Sequence, residues 1–142
     1  MNILYKNSLD PTQLRQLERW FTQEWAELDP LLDPQGVYPE PILAENTEGT
    51  IVGALAFTQA AAFDTQSGAQ GVWINAVLVD PRFRGQGVAS RLINEAEQSA
   101  KKRDIKQLWV LTHLPALYLR LSWQIAGRAG ADTVLSKELN LL

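Results

Sequence analysis

The chain has no cysteine among its 142 residues. A disulfide framework, a thiolate metal site and a cysteine nucleophile are therefore all excluded. Histidine is almost as scarce, with His113 the single one. Basic charge is not in excess either: thirteen Lys and Arg against sixteen Asp and Glu give a net charge of −3. A nucleic-acid partner is disfavoured on that ground, because phosphate backbones require a dense basic surface. No apolar run approaches the ~18 residues needed to span a membrane. The opening Met1-Asn2-Ile3-Leu4-Tyr5-Lys6 lacks the pattern of a signal peptide. The expectation is a cytoplasmic protein with no membrane partner.

What is there describes one globular unit. Hydrophobic residues make up 46% and charged residues 20%, a balance that buries a core without staples at this length. Neither a repeat nor a linker interrupts the chain, so residues 1–142 read as a single domain. Asn2 to Tyr5 suits a short strand. Asp10-Pro11-Thr12-Gln13 then announces a helix, with Asp10 as cap and Gln13 closing a capping box. Leu14, Leu17, Phe21, Trp25 and Leu28 follow at helical spacing. The four prolines from Pro30 to Pro41 indicate a loop. Ile42–Glu45 and Ile51–Ala61 read as a hairpin about Glu48-Gly49, and Thr65–Gly71 as a loop. Val72–Val79 is almost wholly apolar, as a strand buried on both faces would be. Val88, Ala89, Leu92, Ile93, Ala96 and Ala100 mark a helix over Gly87–Lys102, and Lys101-Lys102-Arg103 suits the negative end of its dipole. Leu108–Leu111, Pro115–Leu121 and Thr133–Leu139 complete the pattern as strand, short helix and strand. A helical crossover between Val72–Val79 and Leu108–Leu111 makes those two strands parallel. The fold class is thus α/β (α+β), with a mixed, mostly antiparallel central sheet flanked by helices.

The informative stretch is Val79-Asp80-Pro81-Arg82-Phe83-Arg84-Gly85-Gln86-Gly87-Val88-Ala89-Ser90. A strand ends, glycines follow and an amphipathic helix begins. The N–H groups of a helix's first turn have no partner within it, and the dipole is positive there, so such a terminus holds phosphate. Gly85 and Gly87 let the backbone approach an anion, and Arg82 and Arg84 can add charge-assisted bonds. No Gly-Lys-Ser/Thr closes the turn, which rules out a P-loop. Ser90 stands where a dinucleotide fingerprint needs its third glycine.

These residues resemble the GNAT superfamily of N-acetyltransferases. Arg84, Gly85, Gln86, Gly87, Val88 and Ala89 match the family's pyrophosphate-binding pattern, and Val77–Leu92 looks like its central motif with Asp80 as an added residue. Leu117-Tyr118-Leu119-Arg120-Leu121-Ser122-Trp123 resembles the second motif, with Ser122 where glycine is common. Trp73-Ile74-Asn75-Ala76 and Leu111-Thr112 look like a bacterial subgroup whose substrates are undefined. The resemblance implies a sheet with a splayed parallel strand pair and acetyl-CoA as cosubstrate. It implies an acceptor that is the primary amine of a small molecule or peptide, attacking the thioester directly in a ternary complex, and a monomer or homodimer. By the same resemblance, Val77, Leu78 and Val79 would pair with the pantetheine arm, with a strand amide such as that of Val77 holding the tetrahedral intermediate. Arg84 to Ser90 would hold the pyrophosphate, and Tyr118 would protonate the leaving thiolate.

A base is less defined. A protonated alkyl amine with a pKa of ~10.4 must lose a proton before it attacks; His113, Glu24, Glu27 or water could take it. Trp20, Phe21, Trp25, Trp73 and Trp123 could line an apolar acceptor pocket, although most suit a core. A non-catalytic acyl-CoA-binding module is the alternative reading, since it needs the phosphate turn but no acid.

Overall fold

The computed structural model describes residues 2–24, 39–59 and 71–139. Among the described residues, seven strands and three α-helices follow one another as β1 (Ile3–Lys6), α1 (Pro11–Glu24), β2 (Ile42–Asn46), β3 (Ile51–Gln59), β4 (Val72–Val79), α2 (Val88–Lys102), β5 (Gln107–Thr112), α3 (Pro115–Arg120), β6 (Gln124–Ala129) and β7 (Asp132–Glu138). A 3₁₀ turn over Pro81–Phe83 joins β4 to the approach of α2.

Local chemistry accounts for these boundaries. The capping box forms as the sequence suggests: Gln13 N donates to Asp10 Oδ1 at 2.8 Å, and Asp10 N donates to Gln13 Oε1 at 3.2 Å. Leu17 and Phe21 turn the apolar face of α1 onto the sheet and are fully buried, whereas Leu14 stays exposed. Trp25 and Leu28 lie outside the described residues, as do Ala60 and Ala61 beyond β3 and most of the two loops, 30–41 and 65–71. The basic end of α2 contains Lys101 and Lys102, with Arg103 as its cap.

The sheet order is β1-β2-β3-β4-β5-β7-β6, antiparallel throughout except for the parallel pair β4–β5. On one face α1 covers Leu43, Ala54, Ala56, Ala76 and Leu78. On the other, α2 presses Val88, Leu92, Ile93, Ala96 and Ala100 onto Ile42, Val52, Leu55 and Ile74. Each large aliphatic side chain so buried contributes roughly 1.5–3 kcal/mol. Gly53 lets the helix come this close: a Cβ there would lie 2.9 Å from Val88 Cγ1 and 3.1 Å from the Leu78 carbonyl oxygen.

One strand departs from the sequence reading. β6 was not anticipated, because Gln124-Ile125-Ala126-Gly127-Arg128-Ala129 has no hydrophobic alternation. It is the sheet's edge, mostly exposed, and pairs with β7 alone, with a register shift between Ile125 and Gly127.

Candidate active site

The site begins where two strands part. β4 pairs with β5 only through Val72↔Leu108, Trp73↔Trp109 and Ile74↔Val110. At the next residue the β3–β4 register shifts, with Ala56 opposite Ala76 but Phe57 opposite Ile74, so Asn75 is a bulge in β4. A bulge bends its strand and increases its twist. Beyond it β4 continues to Val79 alongside β3, while β5 continues to Thr112 alongside β7.

The register tells which backbone groups this parting uncovers. Asp80 N donates to Val52 O at 2.9 Å, which makes Asp80 and Val52 a hydrogen-bonded antiparallel pair. Such pairs alternate along a ladder, so Leu78 and Ala76 also direct their N–H and C=O groups to β3. Val77 and Val79 direct theirs the other way, into the gap left by β5. Arg84 Nε occupies the Val79 carbonyl at 3.2 Å. The N–H groups of Val77 and Val79 and the carbonyl of Val77 face the gap.

From the end of β4 the chain is led to the helix by its own polar groups. Asp80 accepts from Arg82 N at 2.9 Å, and its carboxylate is also held by Arg82 Nε at 3.2 Å and the terminal Arg82 nitrogen at 2.9 Å. The Arg82 hydrogen bonds hold the Asp80 carboxyl below the usual carboxylate range. The residue that looks like an addition to the motif is thus the cap of the 3₁₀ turn. It also engages Arg82, while Arg84 reaches back to the Val79 carbonyl, and both arginines remain exposed.

Gly85 and Gly87 have φ of +77° and +83°. Neither would clash through a Cβ; the left-handed backbone is what asks for glycine, at a cost of about 1–2 kcal/mol to any other residue. Gly87 is the N-cap of α2 and offers no side-chain cap. The first helical bond is Arg91 N to Gly87 O at 3.0 Å, so the N–H groups of Val88, Ala89 and Ser90 point out of the helix end uncapped. Open backbone donors thus lie at two places, the edge of β4 at Val77 and Val79 and the first turn of α2, while the turn over Asp80–Arg84 between them is bonded within itself.

Tyr118 lies on α3, 3% exposed and within the core around α2. Its carbonyl accepts from Leu121 N at 3.0 Å and Trp123 N at 3.1 Å, and its ring meets the Trp123 ring edge-on at 5.2 Å. Desolvation by burial pushes its phenol well above the ordinary tyrosine value, so it is protonated at neutral pH. Ser122 takes φ of +71°, the conformation for which glycine would be the natural choice.

The remaining candidates are dispersed. His113 and Glu24 are exposed, at the ends of β5 and α1, and Glu27 lies outside the described residues. Of the aromatics, Phe21, Trp73 and Trp123 belong to the core, and Trp25 again lies outside the described residues. Trp20 lines a cleft of about 530 Å³ with Gln16, Gln23, Ile51, Asp80 and Pro81. Among the described residues there is no cluster of metal ligands and no helix long and apolar enough to cross a membrane.

The sequence reading missed Glu97 and Lys137. Glu97 on α2 is 6% exposed. It accepts from the Trp123 indole Nε1 at 3.3 Å and pairs with Lys137 Nζ of β7 at 2.8 Å. Lys137 Nζ also donates to the Leu121 carbonyl at 2.8 Å. The signal available was Glu97 itself, which lies one residue beyond Ala96 on the buried stripe of α2.

A model of the acetyltransferase (GNAT) family matches residues 5–122. No curated protein matches the chain. Among solved structures, a GNAT family N-acetyltransferase (YhbS) from Escherichia coli, in complex with CoA, superposes with a TM-score of 0.74 at 23% identity over 97% of this chain and 82% of that one. An acetyltransferase of GNAT family from Streptococcus pneumoniae gives 0.71 at 18% identity over 98% and 100%. yncA from Salmonella typhimurium, described as a putative acetyltransferase with its cofactor acetyl-CoA, gives 0.71 at 15% identity over 99% and 95%. With its sheet, its splayed strand pair and this match over most of its length, the chain belongs to the GNAT acetyltransferase family.

Proposed function

We propose that the protein is an acetyl-CoA-dependent N-acetyltransferase acting on a primary amine of a small molecule or peptide. The observation that carries this reading is the run of open backbone groups made by the β4 edge at Val77 and Val79 and, past an internally bonded turn, the uncapped first turn of α2. Such a run fits an extended amide-bearing chain that ends in a pyrophosphate: the β4 edge pairs with the arm as a further strand, and the helix terminus meets the phosphates. Val77 and Val79 supply the edge groups, Leu78 fixes them by its bonds to β3, and Arg84, Gly85, Gln86, Gly87, Val88, Ala89 and Ser90 form the anion cradle.

Bound acetyl-CoA would supply an activated thioester carbonyl for the amine to attack. The Val77 amide is placed on the gap, where a preorganised donor stabilises charge that develops on a carbonyl oxygen. As the new N–C bond forms and the C–S bond breaks, Tyr118 would give its phenolic proton to the departing sulfur; its burial keeps that proton in place at neutral pH. The amine's own proton would pass to water, or to His113, Glu24 or Glu27.

Calorimetry with acetyl-CoA tests the binding step. Wild type should release heat and melt at a higher temperature, and Gly87→Glu, which adds a negative charge at a left-handed cap, should do neither. Absence of both signals in wild type would end the proposal. Tyr118 also belongs to the hydrophobic core, which favours the second reading, a non-catalytic acyl-CoA-binding module. Tyr118→Phe separates the two: an enzyme should slow by ~10²-fold or more in thiol release, whereas a binding module has no turnover to lose.

A further inference from the structure

The sheet is two antiparallel halves, β1-β2-β3-β4 and β5-β7-β6, joined through the three β4–β5 register pairs at the closed end of the gap. The proposed reactants come from opposite halves. The open edge and the anion cradle sit on β4 and α2, and α2 packs against β2, β3 and β4. Tyr118 sits on α3, which packs against β6 and β7. Some contact must set the width of the gap between them.

We infer that Glu97 and Lys137 form this contact and act as positioning residues for Tyr118. The inference rests on the acyl-transfer reading above. Glu97 belongs to the α2 side and Lys137 to the β7 side, and their ion pair at 2.8 Å crosses from one half to the other. Both partners are then tied to the segment that follows Tyr118. Glu97 holds the Trp123 indole at 3.3 Å, and that ring packs on the Tyr118 ring. Lys137 holds the Leu121 carbonyl at 2.8 Å, while the Leu121 N–H bonds to the Tyr118 carbonyl. Between these two anchors stands Ser122 in its left-handed conformation, a backbone state that persists only where surroundings enforce it. The network therefore fixes Tyr118 from both its backbone and its ring, and refers that position to α2. A partly buried charge pair hydrogen-bonded on both sides has directionality that an apolar contact lacks.

The test follows acetyl-CoA turnover by thiol release, with water and with a panel of primary amines as acceptors, in Glu97→Gln and Lys137→Met. Each variant should fold, as judged by melting, and should lose about tenfold to a hundredfold in kcat, the effect of a misplacement near 1 Å. KM for acetyl-CoA should stay within about twofold, because the cradle lies wholly on the α2 side. Lys137→Arg, which keeps the charge and the donors, should retain most of the rate. In a Tyr118→Phe background, Glu97→Gln should cost nothing further, since it acts through the missing hydroxyl; a general loss of structure would cost the same in both backgrounds. Independently of turnover, amide exchange at Leu121 and Trp123 should quicken in Glu97→Gln. An unchanged kcat in folded Glu97→Gln, or an equal loss in both backgrounds, overturns the positioning role and leaves acyl transfer standing. Silence of wild type toward acetyl-CoA overturns both.

Discussion

Ser122 shows how much one residue can reveal when its backbone disagrees with its side chain. Its φ of +71° costs an ordinary residue about 1–2 kcal/mol. Glycine would remove that strain but would gain about 0.4–1 kcal/mol of unfolded-chain entropy. The strain is the larger, so Ser122→Gly should stabilise the protein by about 0.5–1 kcal/mol and raise its melting temperature by about 2–4 °C. A melting temperature that fell would show that the hydroxyl makes a contribution of its own. Tyr118 gives a second prediction at this scale. Burial raises its pKa, so the folded state favours the neutral phenol. That stability is fully present below the unfolded value of ~10 and is lost as pH rises above it. Tyr118→Phe should therefore withstand alkaline pH better than wild type relative to neutral pH, as followed by circular dichroism, and tyrosinate absorbance from Tyr118 should appear only with unfolding. A tyrosinate signal from Tyr118 in the folded protein would place its hydroxyl in water.

At the scale of elements, most of the fold was legible because its signals are local. The Asp10–Gln13 capping box, the apolar run of Val72–Val79 and the helical spacing from Val88 to Ala100 each state a structure within a few residues, and each is found where it was read. β6 was not legible, since an exposed edge strand has little to bury and so carries no pattern. The Glu97–Lys137 pair was hidden for another reason: its members are 40 residues apart and meet only through tertiary packing. Gly53 lies between these cases. In the sequence it is one small residue in a strand, and in the fold it sets how closely α2 approaches β3. Gly53→Ala would place a Cβ 2.9 Å from Val88 Cγ1, and Val88 opens the helix proposed to form the anion cradle. We expect a loss of about 1–3 kcal/mol from overpacking, seen in urea unfolding, together with weaker acetyl-CoA binding as the helix start is displaced. Adding Val88→Ala should restore much of the stability by making room. If the double variant were no more stable than Gly53→Ala alone, the Leu78 carbonyl, 3.1 Å away, would be the obstacle instead.

For the whole molecule, the gap between the two sheet halves is where the open edge of β4 is exposed. A net charge of −3 gives the chain no general attraction for an anionic cosubstrate, so the proposed recognition rests on local backbone groups aimed at one place. Those groups alternate along β4, and the alternation is measurable. In the free protein, the amides of Ala76 and Leu78 should exchange slowly because they bond to β3, while those of Val77 and Val79, on the same strand, should exchange faster. Saturating acetyl-CoA should stabilise the protein by mass action, by about 2.7 kcal/mol at a hundred times its dissociation constant. Global stabilisation of that kind slows exchange wherever it proceeds through unfolding. The added protection at Val77 and Val79 should exceed this common increment, because the arm would bond directly to the strand edge. Uniform protection along β4 would mean that binding occurs at the helix terminus alone, with the gap left open and Tyr118 too remote from the thioester to serve as its acid.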